Sequence, residues 1–275
     1  MVTGTSSGIG AATALLLARS GFRVFAGVRQ EADGERLRAS SAGNVLPLLL
    51  DVTDARSIRS ALDELTARLG GEGLAGLVNN AGVFLMLPFE VTPVETFREV
   101  FEVNVVGTMA VTQALLPLLR QGRGRIINIG SSAGRASAPG SGAYSGSKHA
   151  LEALTVAMRA ELEQFGIQVT LVGPGNIRTP IWDKALAAAT NASRGVPTEV
   201  RALYAPLLDK MQRMNRAMAE AGIPAEDVAR VVLRALTAKR ARPRYSIGVE
   251  AHLLDVLRFA PDRLRELLIR KQFGL

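Results

Sequence analysis

Short apolar segments alternate with longer helical segments along this chain, and this alternation constrains the fold more than any other feature. The apolar segments are FRVFAGVR (22–29), VLPLLLD (45–51), GLAGLVNNAG (73–82), RIINIGSS (125–132) and IQVTLVGPG (167–175). Such runs are typical of strands buried on both faces, and strands that alternate with helices pair in parallel. The sequence therefore predicts an α/β fold with a doubly wound, Rossmann-type parallel sheet covered by helices.

Helix-forming segments separate these strands. A cap-like Thr53-Asp54 precedes one of them, whereas the segment at 33–41 is interpreted only as polar. The pattern stays regular, so we expect a single domain over residues 1–275. The predicted helices cover 9–20, 55–69, 93–119 (interrupted at Gly107 and Pro117) and 143–165.

The first helix is preceded by TGTSSGIG (3–10), which places glycine at Gly4, Gly8 and Gly10. If Met1-Val2 ends a first strand, the order is strand, glycine-rich turn, helix and strand. This unit seats a dinucleotide pyrophosphate on the helix N-terminus. The alternative is that the glycines serve only the conformation of a turn, so the motif by itself is weak.

Polar and turn-forming residues follow the predicted strands. They are Asp51-Val52, Asn79-Asn80, Ala81-Gly82, Ser131-Ser132 and Pro174-Gly175. The carboxyl ends of parallel strands share one edge of the sheet, and such sheets bind ligands at that edge. Each residue is also an ordinary turn former, so it is their joint occurrence on one edge that predicts a site.

The composition argues against several kinds of site. The chain has no cysteine and only His149 and His252, so we predict no disulfide, no thiolate chemistry and no metal centre. We see neither a basic-then-apolar leader nor an apolar run long enough for a bilayer, and we expect a soluble, cytoplasmic protein.

The formal net charge is +8, and basic residues are densest at 239–244 and 264–271. We favour solvated helix faces as the explanation, with an anionic ligand such as a phosphorylated cofactor as the alternative. The sequence has no basic patch interleaved with aromatic residues, so nucleic acid is not an expected partner.

Together, these motifs resemble those of the classical short-chain dehydrogenase/reductase family, from Thr3 to about Tyr245. The strand at 22–29 and a C-terminal extension at about 250–275 are similar to the branch that holds steroid and retinol dehydrogenases. The family begins with a full-length first strand, so we expect chain upstream of Met1. The motifs are TGTSSGIG (3–10), DV (51–52), NNAG (79–82), VNVVG with Asn104, GSSAG (130–134), YSGSK (144–148) and PGNIRT (174–179).

The resemblance implies a catalytic tetrad of Asn104, Ser131, Tyr144 and Lys148. Tyr144 and Lys148 are four residues apart, so a helix presents them on one face. A neighbouring ammonium and a nicotinamide cation favour the phenolate of Tyr144, which makes it a usable proton carrier. Ser131, with Ser132 as its rival, would hydrogen-bond the substrate oxygen. Asn104 would hold a water that links Lys148 to solvent.

The end of the second strand favours NADP(H) over NAD(H). Enzymes that use NAD place an acid there, whereas an arginine accommodates the 2′-phosphate of NADP. Here Gly27 stands at the expected place of the acid, and Arg29 lies two residues later. Alternatively, Arg29 is solvated and Glu31 or Asp33 reaches the ribose.

The predicted cofactor site combines the glycine-rich turn, the strand ends and the catalytic pair, and Ser6 or Ser7 would be a second contact to the phosphate. Its residues are Gly4, Ser6, Ser7, Gly8, Ile9, Gly10, Arg29, Asp51, Val52, Asn79, Ala81, Gly82, Tyr144, Lys148, Pro174, Gly175, Ile177 and Thr179.

The resemblance places a helical substrate lid at about 180–222. Methionine and aromatic side chains there and after the fourth strand predict a small apolar alcohol or carbonyl substrate, although the methionines could equally belong to the core. These residues are Trp182, Tyr204, Met211, Met214, Met218, Phe84, Leu85, Met86, Leu87 and Phe89.

The resulting hypothesis is an NADP(H)-dependent oxidoreductase that interconverts an apolar alcohol and its ketone or aldehyde. A non-catalytic NAD(P)-binding regulatory protein is the alternative, disfavoured because such proteins typically lose the tyrosine or the lysine. The apolar helices at 93–119 and 143–165 predict a homodimer or homotetramer. A C-terminal helix from Leu253 to Phe273 that covers that surface or rests on a membrane is the less favoured arrangement.

Overall fold

The fold is described from a computed structural model, which covers residues 1–41 and 43–273. The strands are β1 (Val24–Val28), β2 (Val45–Leu49), β3 (Gly76–Asn79), β4 (Arg125–Ile129), β5 (Gln168–Pro174), β6 (Ile177–Arg178), β7 (Ile223–Pro224) and β8 (Arg244–Ile247). The helices are α1 (Gly8–Arg19), α2 (Glu31–Ala39), α3 (Ala55–Leu69), α4 (Val94–Phe101), α5 (Gly107–Gly122), α6 (Gly142–Leu162), α7 (Ile181–Ser193), α8 (Thr198–Ala221), α9 (Ala225–Thr237), α10 (Val249–Leu257) and α11 (Asp262–Phe273). A π-helical turn covers Glu102–Val106, and 3₁₀ turns cover Phe89–Val91, Ser132–Gly134 and Glu163–Phe165.

The main sheet is parallel and runs in the order β2, β1, residues 1–3, β3, β4, β5 and β8. Val2 joins its two halves, because it bridges Ala26 on one side and Val78 on the other. The Gly27 amide donates to the Val2 carbonyl (2.8 Å), and the Val78 amide donates to the Met1 carbonyl (2.8 Å). Met1 and Val2 therefore pair as the expected first strand, and the doubly wound fold is confirmed.

Each strand contributes side chains to two cores, since successive residues point to opposite faces of a sheet. Leu77 and Ile126 pack on the side of α3 and α5. Their neighbours Val78 and Ile127 pack on the side of α1 and α9. Helices on both faces leave the carboxyl edge of the sheet as the open surface near the strand ends.

The predicted interruption of the helix at 93–119 is only partly right. The π-helical turn separates α4 from α5 just before Gly107, but α5 continues through Pro117, so the prediction of a break there is wrong. A Cβ atom on Gly107 would lie 2.8 Å from the Val52 carbonyl oxygen. This glycine therefore allows α5 to pack closely on the loop after β2.

Two further expectations from the sequence need revision, one in α2 and one in the stretch from α4 to α5. The segment at 33–41 lies largely within α2, which buries only Gly34 and Leu37, so its short apolar face gave little helical signal. One helical stretch, Val94–Gly122, is long and apolar enough to cross a membrane by length and composition alone. Several of its side chains, including Val111 and Leu119, are buried in the core.

Helices cover the cleft side of the fold in two groups. The stretch expected to form the lid, about 180–222, contains α7 and α8, and β6 pairs with β7 beside them. The C-terminal extension contains two helices, α10 and α11, rather than the single helix expected from Leu253 to Phe273. Pro261 lies between them, just before the first residue of α11, a position where proline favours a new helix.

Candidate active site

A cleft of about 600 Å³ follows the carboxyl edge of the main sheet. Gly10, Asn79 and Asn104 are the three predicted site residues that do not line it. The predicted site residues that do line it are Gly4, Ser6, Ser7, Gly8, Ile9, Arg29, Asp51, Val52, Ala81, Gly82, Ser131, Tyr144, Lys148, Pro174, Gly175, Ile177 and Thr179.

The glycine-rich turn brings the backbone to the floor of this cleft. Gly4 and Gly8 have left-handed backbone conformations, with φ of 66° and 58°, which glycine adopts at little cost. Ser7 is the N-cap residue of α1, but its side chain makes no capping hydrogen bond, and the first turn of α1 contains no acid. The first N–H groups of α1 therefore have no side-chain partner, as an anion-binding helix N-terminus requires.

Gly10 acts through packing. A Cβ atom on Gly10 would lie 2.2 Å from the Gly4 carbonyl oxygen and 2.5 Å from Asn80 Nδ2. The same Asn80 amide donates to the carbonyl oxygens of Thr3 (2.9 Å) and Gly4 (3.0 Å). Gly10 and Asn80 thus fix the shape of the turn from behind.

Asn79, a predicted cofactor contact, turns its side chain away from the cleft. Its side chain is buried between β3, β4 and α5, where Nδ2 donates to Thr112 Oγ1 (2.9 Å) and Asn128 Oδ1 (2.9 Å). Asn80 lines the cleft instead. Alternation along β3 turns the first asparagine into the core, and the strand ends before the second.

The ends of β1 and β2 form the far end of the cleft. Arg29 is exposed there and makes no ion pair within the described part of the chain. The Asp51 carboxylate accepts from the Thr53 amide (2.9 Å) and hydroxyl (2.7 Å), which lowers the pKa of Asp51, with a smaller contribution from Arg29. Glu31 and Asp33, the alternative ribose contacts, do not line the cleft.

Ser131, Tyr144 and Lys148 meet in the middle of the cleft. Ser131 follows β4, whereas Tyr144 and Lys148 lie on α6. Lys148 Nζ donates to the Ile129 carbonyl oxygen (3.0 Å) and lies 5.7 Å from the centroid of the Tyr144 ring. The side chain of Lys148 is buried, with 5% exposed. The rival Ser132 also lines the cleft, but it is the Ser131 hydroxyl that favours a lower pKa of the Tyr144 phenol.

Burial sets the proton affinities of this pair. It raises the pKa of the Tyr144 phenol above its ordinary value of 10.0, and the Ser131 hydroxyl acts in the opposite direction. Burial also lowers the pKa of Lys148 from 10.5 to about 8. In the protein alone, desolvation thus outweighs the expected stabilisation of the phenolate.

Asn104 lies in the π-helical turn, beside the cleft rather than in it. Its Oδ1 accepts from the Val83 amide (2.8 Å), and its Nδ2 donates to the Val83 carbonyl (3.0 Å) and to Ser147 Oγ (2.9 Å). The side chain therefore clamps the loop after β3 to α6. Both of its polar atoms are engaged within the protein, and only one acceptor site, on Oδ1, is left for the water predicted from the sequence.

The substrate end of the cleft has an aromatic wall. The Phe84 ring packs edge-to-face on the Tyr144 ring, with centroids 4.7 Å apart, and on the Trp182 ring, with centroids 5.4 Å apart. Trp182 is held in place because its Nε1 donates to the Ile177 carbonyl oxygen (2.8 Å). The ring of the phenol that would transfer a proton thus packs against an aromatic side chain.

The residues expected to contact the substrate divide into three groups. Phe84, Met86, Trp182, Met214 and Met218 line the cleft. Leu85, Leu87 and Met211 are buried and do not line the cleft. Phe89 is exposed, and the Tyr204 hydroxyl donates to the Glu90 carboxylate (2.8 Å) outside the cleft.

The C-terminal helices complete the apolar wall with Leu253, Leu254, Leu257 and Ile269. The sequence predicted the extension but not these contacts. Their helical spacing on α10 is an ordinary core pattern, so it did not indicate which surface they cover.

A half-buried cluster of four charges attaches α10 to the catalytic elements. It consists of Arg135, Glu152, Arg244 and Asp255, and it is electrically balanced. Arg135 Nε lies 3.2 Å from Glu152 and 3.5 Å from Asp255, Arg244 Nε lies 3.4 Å from Asp255, and Arg244 also pairs with Glu152. Because Glu152 lies one turn after Lys148 on α6, the cluster connects the catalytic helix to the helix that carries Leu254 and Leu257.

Lys184 is a further residue that sequence reasoning missed. It lies on the lid helix α7, lines the cleft, and its Nζ donates to Ser7 Oγ at 3.4 Å. It places a cation beside the uncapped N-terminus of α1. A single lysine within a lid carries no local signal for this contact, which joins residues 177 positions apart.

The described residues contain no group of three or more acidic, histidine or cysteine side chains that could hold a metal. The residues do fit a dinucleotide, since an uncapped helix N-terminus, two nearby cations and a proton-carrying pair lie along one cleft.

Known proteins that are similar in sequence to this chain include dehydrogenases and reductases. The family model described as short chain dehydrogenase matches residues 1–190. The chain is 34% identical over 277 residues to an NADPH-dependent 3-dehydrocapnine reductase of Ornithobacterium rhinotracheale, covering 98% of this chain and 95% of that protein. It is 38% identical over 259 residues to retinol dehydrogenase 5 of Mus musculus, covering 92% and 81%. It is 33% identical over 278 residues to 17-beta-hydroxysteroid dehydrogenase type 6 of Bos taurus, covering 99% and 87%.

Solved structures show the same fold. A short chain dehydrogenase/reductase from Burkholderia phymatum in complex with NAD superposes with a TM-score of 0.79 at 26% identity, covering 97% of this chain and 94% of that one. A short chain dehydrogenase from Burkholderia cenocepacia J2315 in complex with NADP gives a TM-score of 0.73 at 26% identity, covering 98% and 95%.

Proposed function

Because the chain belongs to the short-chain dehydrogenase family and is an NAD(P)-dependent oxidoreductase acting on CH–OH groups, we propose that it uses NADP(H) to interconvert an apolar alcohol and its ketone or aldehyde. One observation carries the proposal: Ser131, Tyr144 and Lys148 share a single cleft whose one end is an uncapped helix N-terminus and whose other end is apolar.

The proposed proton carrier is Tyr144. When bound, the nicotinamide cofactor supplies or accepts the hydride. In the reductive direction the Tyr144 hydroxyl donates its proton to the substrate oxygen, and the raised pKa of the buried phenol keeps that proton in place at neutral pH. Ser131 donates a hydrogen bond to the same oxygen as negative charge develops on it.

Lys148 supports this transfer electrostatically. With a pKa of about 8, it is mostly protonated at pH 7. Its ammonium then stabilises the phenolate that Tyr144 becomes after donating its proton, and it lies within 5.7 Å of that ring. In the oxidative direction, the same charge favours the phenolate that must accept a proton.

Asn104 serves as a positioning residue through its bonds to Val83 and Ser147. Since both polar atoms of the side chain already bond within the protein, we assign a relay water that connects Lys148 with solvent to the main-chain carbonyl of Asn104. Thr108 Oγ1 already donates to that carbonyl at 3.2 Å, and a carbonyl oxygen accepts two hydrogen bonds.

The preference for NADP(H) rests on Arg29. It is an exposed cation at the end of β1, and it makes no ion pair in the described part of the chain that would compete with a 2′-phosphate. Gly27 is packed against Leu50 and the first strand, with a would-be Cβ 3.1 Å from Leu50, so the position offers no acid to a 2′-hydroxyl. Among similar proteins, one reductase is named NADPH-dependent and one structure holds NADP, while another holds NAD.

The preference for an apolar substrate rests on the wall made by Phe84, Trp182, Met214, Leu254 and Leu257. The names of two relatives, a retinol and a 17-beta-hydroxysteroid dehydrogenase, agree with an alcohol carried on an apolar body.

We also propose a homodimer or homotetramer built on α4, α5 and α6. Large apolar side chains are exposed on these helices. They are Val94 and Phe97 of α4, Val106 of the π-helical turn, Met109 of α5 and Val156 of α6. An apolar surface of this kind is typical of an interface between copies. Light scattering at micromolar concentration tests this, and a result of only 29.2 kDa would contradict it.

The test of the proposed function is a titration of the purified protein with NADPH and NADH, followed by a screen of carbonyl compounds. We expect tighter binding of NADPH and consumption of NADPH with apolar ketones or aldehydes. Binding of either cofactor without turnover of any carbonyl or alcohol would instead favour the regulatory alternative.

A further inference from the structure

The outer faces of α10 and α11 are unusually apolar for a surface. Val249 is 82% exposed and Phe259, just after α10, is 76% exposed. The same surface continues along the C-terminal segment with Val256, Leu264, Leu267 and Leu268. No other stretch of similar length in the described chain exposes as many large apolar side chains.

On α11 the exposed leucines form one face of the helix, and basic side chains border that face. Leu264, Leu267, Leu268 and Lys271 have the spacing i, i+3, i+4 and i+7, so they share one face. By the same helical geometry, Arg263 and Arg270 border this face on one side and Arg265 borders it on the other. Among the α11 residues with described side chains, the two acids, Asp262 and Glu266, lie on the opposite side, around Ile269.

Ile269 faces the cleft, so α11 separates two apolar environments. The same holds for α10, where Leu254 and Leu257 face the cleft while Val249 and Val256 face outwards. The thickness of one helix is all that lies between the proposed substrate wall and the exposed apolar surface.

We propose that α10 and α11 dock on an anionic lipid bilayer, with the leucine face of α11 at the level of the acyl chains and the arginines at the headgroups. This arrangement would place the mouth of the cleft at the membrane surface, where apolar substrates collect. The inference rests on the proposed apolar substrate for its purpose, but the docking itself stands on the exposed surface. An amphipathic helix with cations bordering its apolar face is suited to this interface.

A second copy of the chain is the competing occupant, and the charges disfavour it. In a two-fold contact the same face meets itself. The face of α11 would then bring Arg263, Arg270 and Lys271 of one copy towards the same cations of the other. An anionic lipid surface instead complements every charged group that borders this face.

The experiment is flotation of the full-length protein with two kinds of vesicle, phosphatidylcholine alone and phosphatidylcholine mixed with phosphatidylglycerol. We expect the wild type to float with the anionic vesicles and to be released by high salt. The double substitution Leu264→Asp with Leu267→Asp should lower the bound fraction by about tenfold or more. Leu203→Asp, at a 76% exposed leucine on the lid helix α8, is the matched control and should bind like the wild type.

Three outcomes overturn the proposal: no flotation of the wild type with anionic vesicles, equal loss in the Leu203→Asp control, or loss in the α11 variant together with a change from dimer to monomer. The last result would assign the face to a second copy. NADPH consumption with a small water-soluble carbonyl compound should be unchanged in the α11 variant, which shows that it is folded. Absence of turnover in all forms would contradict the proposed function while leaving the flotation result valid.

Discussion

The two ends of the cleft differ in which part of the chain forms their contacts. At the cofactor end, the contacts come from backbone: the turn at Gly4 and Gly8 and the N–H groups that open α1. At the substrate end, they come from side chains such as Trp182 and Leu254, on helices outside the main sheet. A surface of backbone depends on glycine spacing and strand register, whereas a surface of side chains depends on how distant helices pack.

The largest expected effect lies between the two ends. Tyr144→Phe removes only the transferable proton, so turnover should fall by about 10² to 10⁴-fold, the usual contribution of general acid–base catalysis. The dissociation constant of NADPH should change little, because the ring and its contact with Phe84 remain. Steady-state kinetics and a binding titration measure both. Turnover within a few-fold of the wild type would remove Tyr144 from its role.

The next largest effect is expected from a substitution in the glycine-rich turn at the cofactor end. Gly10→Ala forces a Cβ atom against the Gly4 carbonyl oxygen, which is main chain and cannot easily move away. We expect the free energy of unfolding to fall by about 1–3 kcal/mol, as for other overpacked sites. NADPH binding should weaken with it, because the turn loses its shape.

Gly195→Ala is the control for that change, since a Cβ atom there meets nothing within 4 Å. Thermal or urea unfolding with and without NADPH compares the two variants. Equal behaviour of both would show that Gly10 is replaceable and that the turn is not set by this contact.

A smaller effect tests which cofactor the backbone-built end selects. Arg29→Asp should repel a 2′-phosphate and offer an acceptor to a 2′-hydroxyl, so the ratio of kcat/KM for NADPH to that for NADH should fall by about tenfold, or 1.4 kcal/mol. Arg59→Asp on α3, an exposed arginine away from the cleft, controls for the change in net charge. An unchanged ratio would mean that Arg29 is not the selector.

The smallest effect should be seen at the side-chain end. Asp255→Asn weakens the four-charge cluster that holds α10, so we expect KM for an apolar substrate to rise by a few-fold while the NADPH dissociation constant is unchanged. Hydrogen exchange should increase within 249–271 and not in α6. The control is Asp262→Asn. Asp262 forms a surface ion pair with Arg265, and such pairs contribute about 0–1 kcal/mol to the free energy of unfolding.

If Asp255→Asn instead raised the NADPH dissociation constant as much as KM, the cluster would support the whole site and not the substrate wall. If it changed neither, α10 would be held by its buried Ala251 and leucine contacts alone.

The same division explains how much the sequence could predict. Helix α3 matches its predicted bounds, because Asp54 caps it and its apolar residues repeat with helical period. The site at the strand ends was predicted for a similar reason, since local motifs place those residues on one edge. The motif alone did not indicate that the Asn79 side chain is buried while Asn80 lines the cleft, because only strand alternation separates the two asparagines.

The substrate end could not be predicted in detail. The cluster of Arg244 with Glu152 joins residues 92 positions apart, and nothing in their neighbourhoods marks them as partners. The two-sided character of α10 and α11 likewise depends on where the C-terminal segment packs. A helical period specifies that a face is apolar, but not what that face contacts.

The most direct test of the central claim is a series of linear methyl ketones of increasing chain length, reduced with saturating NADPH. If the cleft joins a cofactor site to an apolar side-chain wall, kcat/KM should rise by about fourfold for each added CH₂ that is buried, corresponding to about 0.8 kcal/mol. Tyr144→Phe should lower every rate and leave the slope unchanged. A kcat/KM that stays flat or falls from the shortest ketone onwards would contradict the account.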